Sequence, residues 1–107
     1  MKNVNDIRDF LDDFIAWASA HGDVQAIALV GSYARGAARD DSDIDLVVLT
    51  NQPQRYHEEL KWIERFSTVK KYQTEDYGKL TSIRVWYQNG IEAEYGITMA
   101  GSPAFEV

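Results

Sequence analysis

Two short stretches of the chain carry residue types and spacings suited to chemistry on a phosphorylated substrate. Gly31-Ser32-Tyr33-Ala34-Arg35-Gly36 follows an apolar run, Ala26 to Val30. Ser42-Asp43-Ile44-Asp45-Leu46 then leads into a second apolar run ending at Leu49. Gly31 permits a sharp turn and a close approach of ligand to backbone. Ser32 can cap a helical turn or give its hydroxyl to a phosphate oxygen. N–H groups at a helix start are free donors, and the helix dipole favours an anion there. Asp43 and Asp45 are two residues apart, and on a strand such residues project from one face. Two carboxylates on one face repel each other unless a hard cation sits between them. Magnesium takes oxygen ligands and is commonly shared between carboxylates and substrate phosphates. Each half alone is a weak signal, because a Gly-Ser turn or an Asp-x-Asp pair is usually plain surface structure. Their order and spacing together describe one site, a phosphate cradle beside a metal-binding pair, suited to a nucleoside triphosphate.

A metal shared with substrate phosphates commonly draws its carboxylates from more than one element. Glu92 and Glu94 form a second pair at i and i+2. They can face the Asp43/Asp45 side while Ile91, Ala93, Tyr95 and Ile97 pack inward. Their alternative is a solvent-facing side of a strand. Arg35 and Arg39 flank the turn and can steady a triphosphate through charge-assisted bonds, or pair with Asp40 or Asp41. Arg84, set among strand residues, is expected to pair with an acidic neighbour. Two histidines and no cysteine give little support to a zinc site or a Ser-His-Asp triad.

Gly31-Ser32-x-Ala34-Arg35-Gly36 with Ser42-Asp43-Ile44-Asp45-Leu46 resembles the motif of the DNA polymerase beta-like nucleotidyltransferases. The likeness is greatest to small bacterial minimal nucleotidyltransferases and to aminoglycoside adenylyltransferase-like proteins. It implies transfer of a nucleoside monophosphate from an NTP, with ATP expected, to an acceptor hydroxyl. It also implies two magnesium ions and three carboxylates. Asp43 and Asp45 are then metal ligands and catalytic. Gly31, Ser32 and Arg35 hold the triphosphate. The segment from Gly90 to Ile97 is similar to the third-carboxylate strand, which favours Glu94, mid-strand, with Glu92 in reserve. Related enzymes mostly carry Asp at that step. A rival reading, also implied by the resemblance, is an antitoxin-like or catalytically silent binding module paired with a small helical toxin-like protein.

The remaining residues bound the setting. The chain of 107 residues, 45% hydrophobic and 12% aromatic, is long enough for one globular domain with a modest core. No apolar run approaches the ~18 residues of a membrane span, and the N-terminus carries no signal-peptide pattern. The absence of cysteine excludes disulfides and allows a reducing compartment, so the expected location is cytoplasmic. A net charge of −6 argues against nucleic acid as a partner. A small-molecule or protein acceptor fits better.

The elements that must position these residues follow from periodicity. Ile7, Phe10, Leu11, Phe14, Ile15 and Ala18 form an amphipathic stripe after Asn5, a candidate cap, with Gly22 as the stop. Val24 to Val30 reads as a buried strand, Ser32 to Ala37 as a short helix, and Ile44 to Thr50 as a second strand. Residues 54–66 read as a further helix with Tyr56, Leu60, Ile63 and Phe66 or Trp62 inward. Trp17, Trp62 and Trp86 are expected in the core. Val69 to Thr74, Leu80 to Tyr87 and Ile91 to Thr98 read as strands. Asn89-Gly90 marks a hairpin between the last two. The expected fold is α+β, a mixed sheet with helices packed on one face. Residues 1–107 are expected to form a single nucleotidyltransferase domain, either minimal or lacking a C-terminal acceptor-binding region.

Overall fold

A computed structural model describes residues 4–36 and 42–100, with side chains from Asp6 onward. Five strands form one mixed sheet. They are β1 (Val24–Val30), β2 (Ile44–Thr50), β3 (Val69–Asp76), β4 (Leu80–Tyr87) and β5 (Glu92–Met99), in the spatial order β1-β2-β5-β4-β3. β2 and β5 are parallel and central, and the other neighbouring pairs are antiparallel.

The period-two pattern of the central strands decides which face is buried. Ile44, Leu46 and Val48 on β2, Ile83, Val85 and Tyr87 on β4, and Ala93, Tyr95 and Ile97 on β5 all enter the core. Each large apolar side chain fully buried there contributes about 1.5–3 kcal/mol. Their odd-numbered or even-numbered neighbours project to the opposite face, which carries Asp45, Ser82, Arg84, Glu92 and Glu94. Sequence alternation therefore separates core from chemistry.

The covering layer comes from α1 (Val4–Ser19), α3 (Gln54–His57) and a 3₁₀ helix (Lys61–Arg65). Phe10, Phe14, Trp17 and Ala18 of α1 are buried against the sheet. Trp17 stacks on Trp62, with ring centroids 5.0 Å apart, and Trp62 meets Tyr95 edge-on at 4.8 Å. The buried Tyr95 hydroxyl finds a partner in that of Tyr87, which is also 2.7 Å from the Ile63 carbonyl oxygen. Among the described residues, no helix is long and apolar enough to cross a membrane.

Several elements differ from the sequence reading. The span 54–66 is two short helical pieces, not one helix. The Trp62 indole N–H donates to the Tyr56 carbonyl at 2.7 Å, the acceptor that the Leu60 N–H would use in a continuous helix. β1 is a sheet edge and only half-buried, with Val30 38% exposed. A mostly apolar run resembles a doubly covered strand, but here small alanines at 26 and 28 occupy the uncovered face. Helix α1 begins at Val4, so Asn5 lies within its first turn rather than before it. Ile15, in the apolar stripe, is half exposed. Trp86 lies outside the core, on the open face beneath the Lys71 ammonium at 4.6 Å. β5 begins at Glu92, because Ile91 closes the Asn89-Gly90 turn: the Tyr87 N–H donates to its carbonyl at 2.9 Å.

Candidate active site

β1 ends at Val30, paired with Asp45 of β2. The chain then turns through Gly31, at φ 74°, into the four-residue helix α2 (Gly31–Ala34). The left-handed conformation suits glycine. The space beside it is filled: a Cβ on Gly31 would lie 3.0 Å from the Asp45 Cγ and closer still to a carboxylate oxygen. Ser32 sits in the first turn of α2 rather than at its cap, which is Val30. Tyr33 packs against the core. Arg35 closes α2, with its backbone N–H donating to the Gly31 carbonyl while the Gly36 N–H donates to that of Tyr33, and the Arg35 side chain is exposed. Arg39, Asp40 and Asp41, the loop residues singled out from the sequence, lie outside the described residues.

Asp45 and Glu94 are register partners across the parallel β2–β5 pair. Asp43 precedes β2 by one residue and shares the parity of Asp45. One carboxylate oxygen from each of Asp43, Asp45 and Glu94 lies within 4.8 Å of the others. All three are half-buried. Burial, then the charge of Asp43, then contact with Glu94 push the Asp45 carboxyl up to about 7. The site thus holds an unfavourable concentration of negative charge.

β4 supplies two residues that complete the arrangement. Ser82, almost fully buried, donates its hydroxyl to Glu94 Oε2 at 2.8 Å. Arg84, opposite Glu94 in register, reaches Asp43 at 3.4 Å, Glu94 at 3.5 Å and also Glu92. Its guanidinium is held charged chiefly by the hydrogen bond to Glu92. Glu92 lies on the same face, one step from Glu94, and outside the three-carboxylate group. Sequence reading gave Arg84 an acidic neighbour but not three, and passed over Ser82. The signal was present: Ser82 and Arg84 flank core residue Ile83, so both had to share the face carrying Glu94.

A cleft of about 360 Å³ opens beside the carboxylates, with Gly31, Asp45 and Glu94 on its wall and Val47, Leu80 and Tyr77 around it. A larger cleft of about 590 Å³, between the 3₁₀ helix and β3, contains none of these residues. Oxygen-only donors in a half-buried cluster match a hard divalent cation, and the mutual repulsion of the cluster is what such a cation relieves.

The fold has counterparts among known proteins. No protein of curated function matches the sequence. The fold is similar to that of an aminoglycoside 6-adenyltransferase from Bacillus subtilis, at 14% identity and TM-score 0.68, over 92% of this chain and 36% of that one. It is also similar to Cid1 in complex with the UTP analogue UMPNPP, at 18% identity and TM-score 0.62, over 87% of this chain and 30% of that one. A second structure, of the Cid1 poly(U) polymerase, matches at 20% identity and TM-score 0.60 with the same coverage, 87% and 30%. The chain therefore spans about a third of the length of these structures. The family of nucleotidyltransferase domains matches residues 7–98, nearly all of the sheet and its covering helices. This chain belongs to the nucleotidyltransferase domain family.

Proposed function

We propose that the chain is a divalent-metal-dependent nucleotidyltransferase that moves a nucleoside monophosphate from an NTP, ATP being the expected donor, to the hydroxyl of a small molecule or protein. The observation that supports this most is the convergence of Asp43, Asp45 and Glu94, with oxygens within 4.8 Å, beside the Gly31 turn.

Asp43, Asp45 and Glu94 are the residues that would hold magnesium, two ions by the family resemblance. When bound, the metal neutralises the triphosphate and stabilises charge developing on the phosphoryl oxygens. The chain's own groups do the rest. The N–H groups at the start of α2 and the Ser32 hydroxyl take the outer phosphates, and Arg35, at the end of α2, is within one turn of them. The cleft over Val47 and Leu80 receives substrate beside the carboxylates. Glu94, fixed by Ser82, orients the acceptor hydroxyl on the β4 side. The acceptor oxygen forms a bond to the α-phosphorus, the bond to the bridging α–β oxygen breaks, and pyrophosphate leaves. The hydroxyl proton passes to a carboxylate of the cluster. Positioning and charge neutralisation supply most of the catalysis in such transfers.

The test is a thermal shift with magnesium or manganese and each of the four NTPs. A ligand that binds only the folded chain raises its melting temperature. A rise that needs both metal and nucleotide is the expected result. An unchanged melting temperature at saturating metal with all four NTPs contradicts the proposal.

A further inference from the structure

Arg84 is placed where a metal-binding cluster would not be expected to keep a fixed cation. Its two terminal nitrogens divide between Asp43 and Glu94, at 3.4 and 3.5 Å, while Glu92 holds one of them closely. Asp43 and Glu94 belong to the three-carboxylate group, whereas Glu92 does not. One guanidinium therefore bridges the cluster and an acid outside it. A hard cation prefers the same oxygens, and a divalent charge interacts with them more strongly than one delocalised positive charge. The two cannot occupy the same space.

The surroundings give Arg84 somewhere to go. Glu92 lies two residues before Glu94 on β5, directly across from Trp86. The Trp86 ring lies 6.0 Å from the Arg84 guanidinium carbon, within cation–π range. Glu92 and Trp86 thus offer the guanidinium contacts other than those with Asp43 and Glu94.

Resting on the metal-dependent reading above, we propose that Arg84 is the counter-ion of the empty site, that metal entry displaces it from Asp43 and Glu94, and that Glu92 retains it beside the site. Glu92 and Arg84 are then positioning residues. Glu92, the first acid of the Glu92-Ala93-Glu94 segment, then has a purpose distinct from that of Glu94.

The test compares wild type with Arg84→Gln and Arg84→Lys at fixed ionic strength and pH 8. Manganese affinity is read by electron paramagnetic resonance without nucleotide, and melting temperature is read in chelator and in saturating magnesium. Arg84→Gln is expected to bind manganese about two- to fivefold more tightly, the scale of losing a competitor worth a single ion pair. It should melt lower than wild type in chelator, and the deficit should shrink in magnesium to the part supplied by the Glu92 and Trp86 contacts. Arg84→Lys keeps the charge but cannot span Asp43 and Glu94, so tighter binding than wild type is expected there as well. Wild-type affinity in Arg84→Lys means that charge alone acts at a distance, which overturns displacement. Weaker manganese binding in Arg84→Gln, or a melting deficit undiminished in magnesium, means that Arg84 stays on Asp43 and Glu94 with metal bound and also overturns it. Metal binding by wild type with no gain in Arg84→Gln overturns this inference alone. Failure of wild type and both variants to bind metal removes the metal reading and the inference together.

Discussion

Gly31 and Asp45 occupy one another's space: a Cβ on the glycine would meet the aspartate carboxylate. The turn proposed to cradle phosphate and the carboxylate proposed to hold metal are thus built as one unit, joined through the Val30–Asp45 pairing. Substitution at either end must disturb the other.

Gly31→Ala is the direct probe of that unit. The backbone there has φ 74°, which an L side chain rarely adopts, so strain adds to the overlap. We expect a loss of about 1–3 kcal/mol in stability from the backbone term. We also expect metal affinity to fall, because Asp45 must move. Denaturant unfolding and manganese titration measure the two effects. Unchanged metal affinity would show that Asp45 is not a ligand.

Asp45 sets a pH dependence with a definite sign. Its carboxyl is raised from 3.8 to about 7, so between those values the folded chain holds a proton that the unfolded chain has lost. Stability contributed by this group is therefore complete below about 4 and falls as pH rises toward 7. Asp45→Asn should flatten that slope and raise the metal-free melting temperature at pH 8 while reducing metal binding. Magnesium should flatten the wild-type slope in the same range. An Asp45→Asn variant that unfolds would mark Asp45 as a structural residue instead.

Glu94 and Glu92 share a face, but only Glu94 belongs to the three-carboxylate group. Glu94→Gln is expected to reduce turnover about a hundredfold or more, the range for removing one electrostatic element that matters most in the transition state. NTP binding should largely remain, because Asp43 and Asp45 are retained. Glu92→Gln should have a small effect. Steady-state turnover and nucleotide affinity of both variants check this. Equal losses would indicate shared ligation, and a larger loss at Glu92 would reverse the assignment.

Asp23 supplies a control remote from the carboxylates. Burial disfavours its charge, but hydrogen bonds from Tyr56 and Thr50 outweigh burial and hold its carboxyl below the usual range. The two hydroxyls donate at 2.6 and 2.8 Å, tying the start of β1 to α3 and β2. Asp23→Ala strands both donors, and we expect a cost of about 1–3 kcal/mol. Metal affinity should be unchanged. Chemical denaturation and manganese titration read the two, and a fall in affinity would show coupling between this network and the site.

The legible parts of the chain were those governed by local alternation. β2 and β4 alternate around Asp45 and Arg84, and β5 alternates from Glu92 to Tyr95, so their registers place Asp45 and Glu94 on one face and Tyr95 on the other. The features missed depend on contacts between elements. Trp62 breaks the helix over 54–66 by taking the Tyr56 carbonyl, a bond set by tertiary packing. β1 is an edge because β2 pairs with β5 on its other side, and apolar content alone does not reveal a strand's neighbours. The three-way hold of Arg84 needed the β4–β5 register before Asp43, Glu92 and Glu94 could be seen to converge on it.

The central claim is nucleotidyl transfer, and the position of the label that moves tests it most directly. Purified protein with magnesium is incubated with NTP labelled at either the α- or the γ-phosphate, in the presence of protein and small-molecule fractions as acceptors. The account predicts that α-label enters an acceptor while γ-label leaves as pyrophosphate, and that Asp45→Asn abolishes both. Entry of γ-label into the acceptor, or no transfer of α-label from any of the four NTPs, would contradict it.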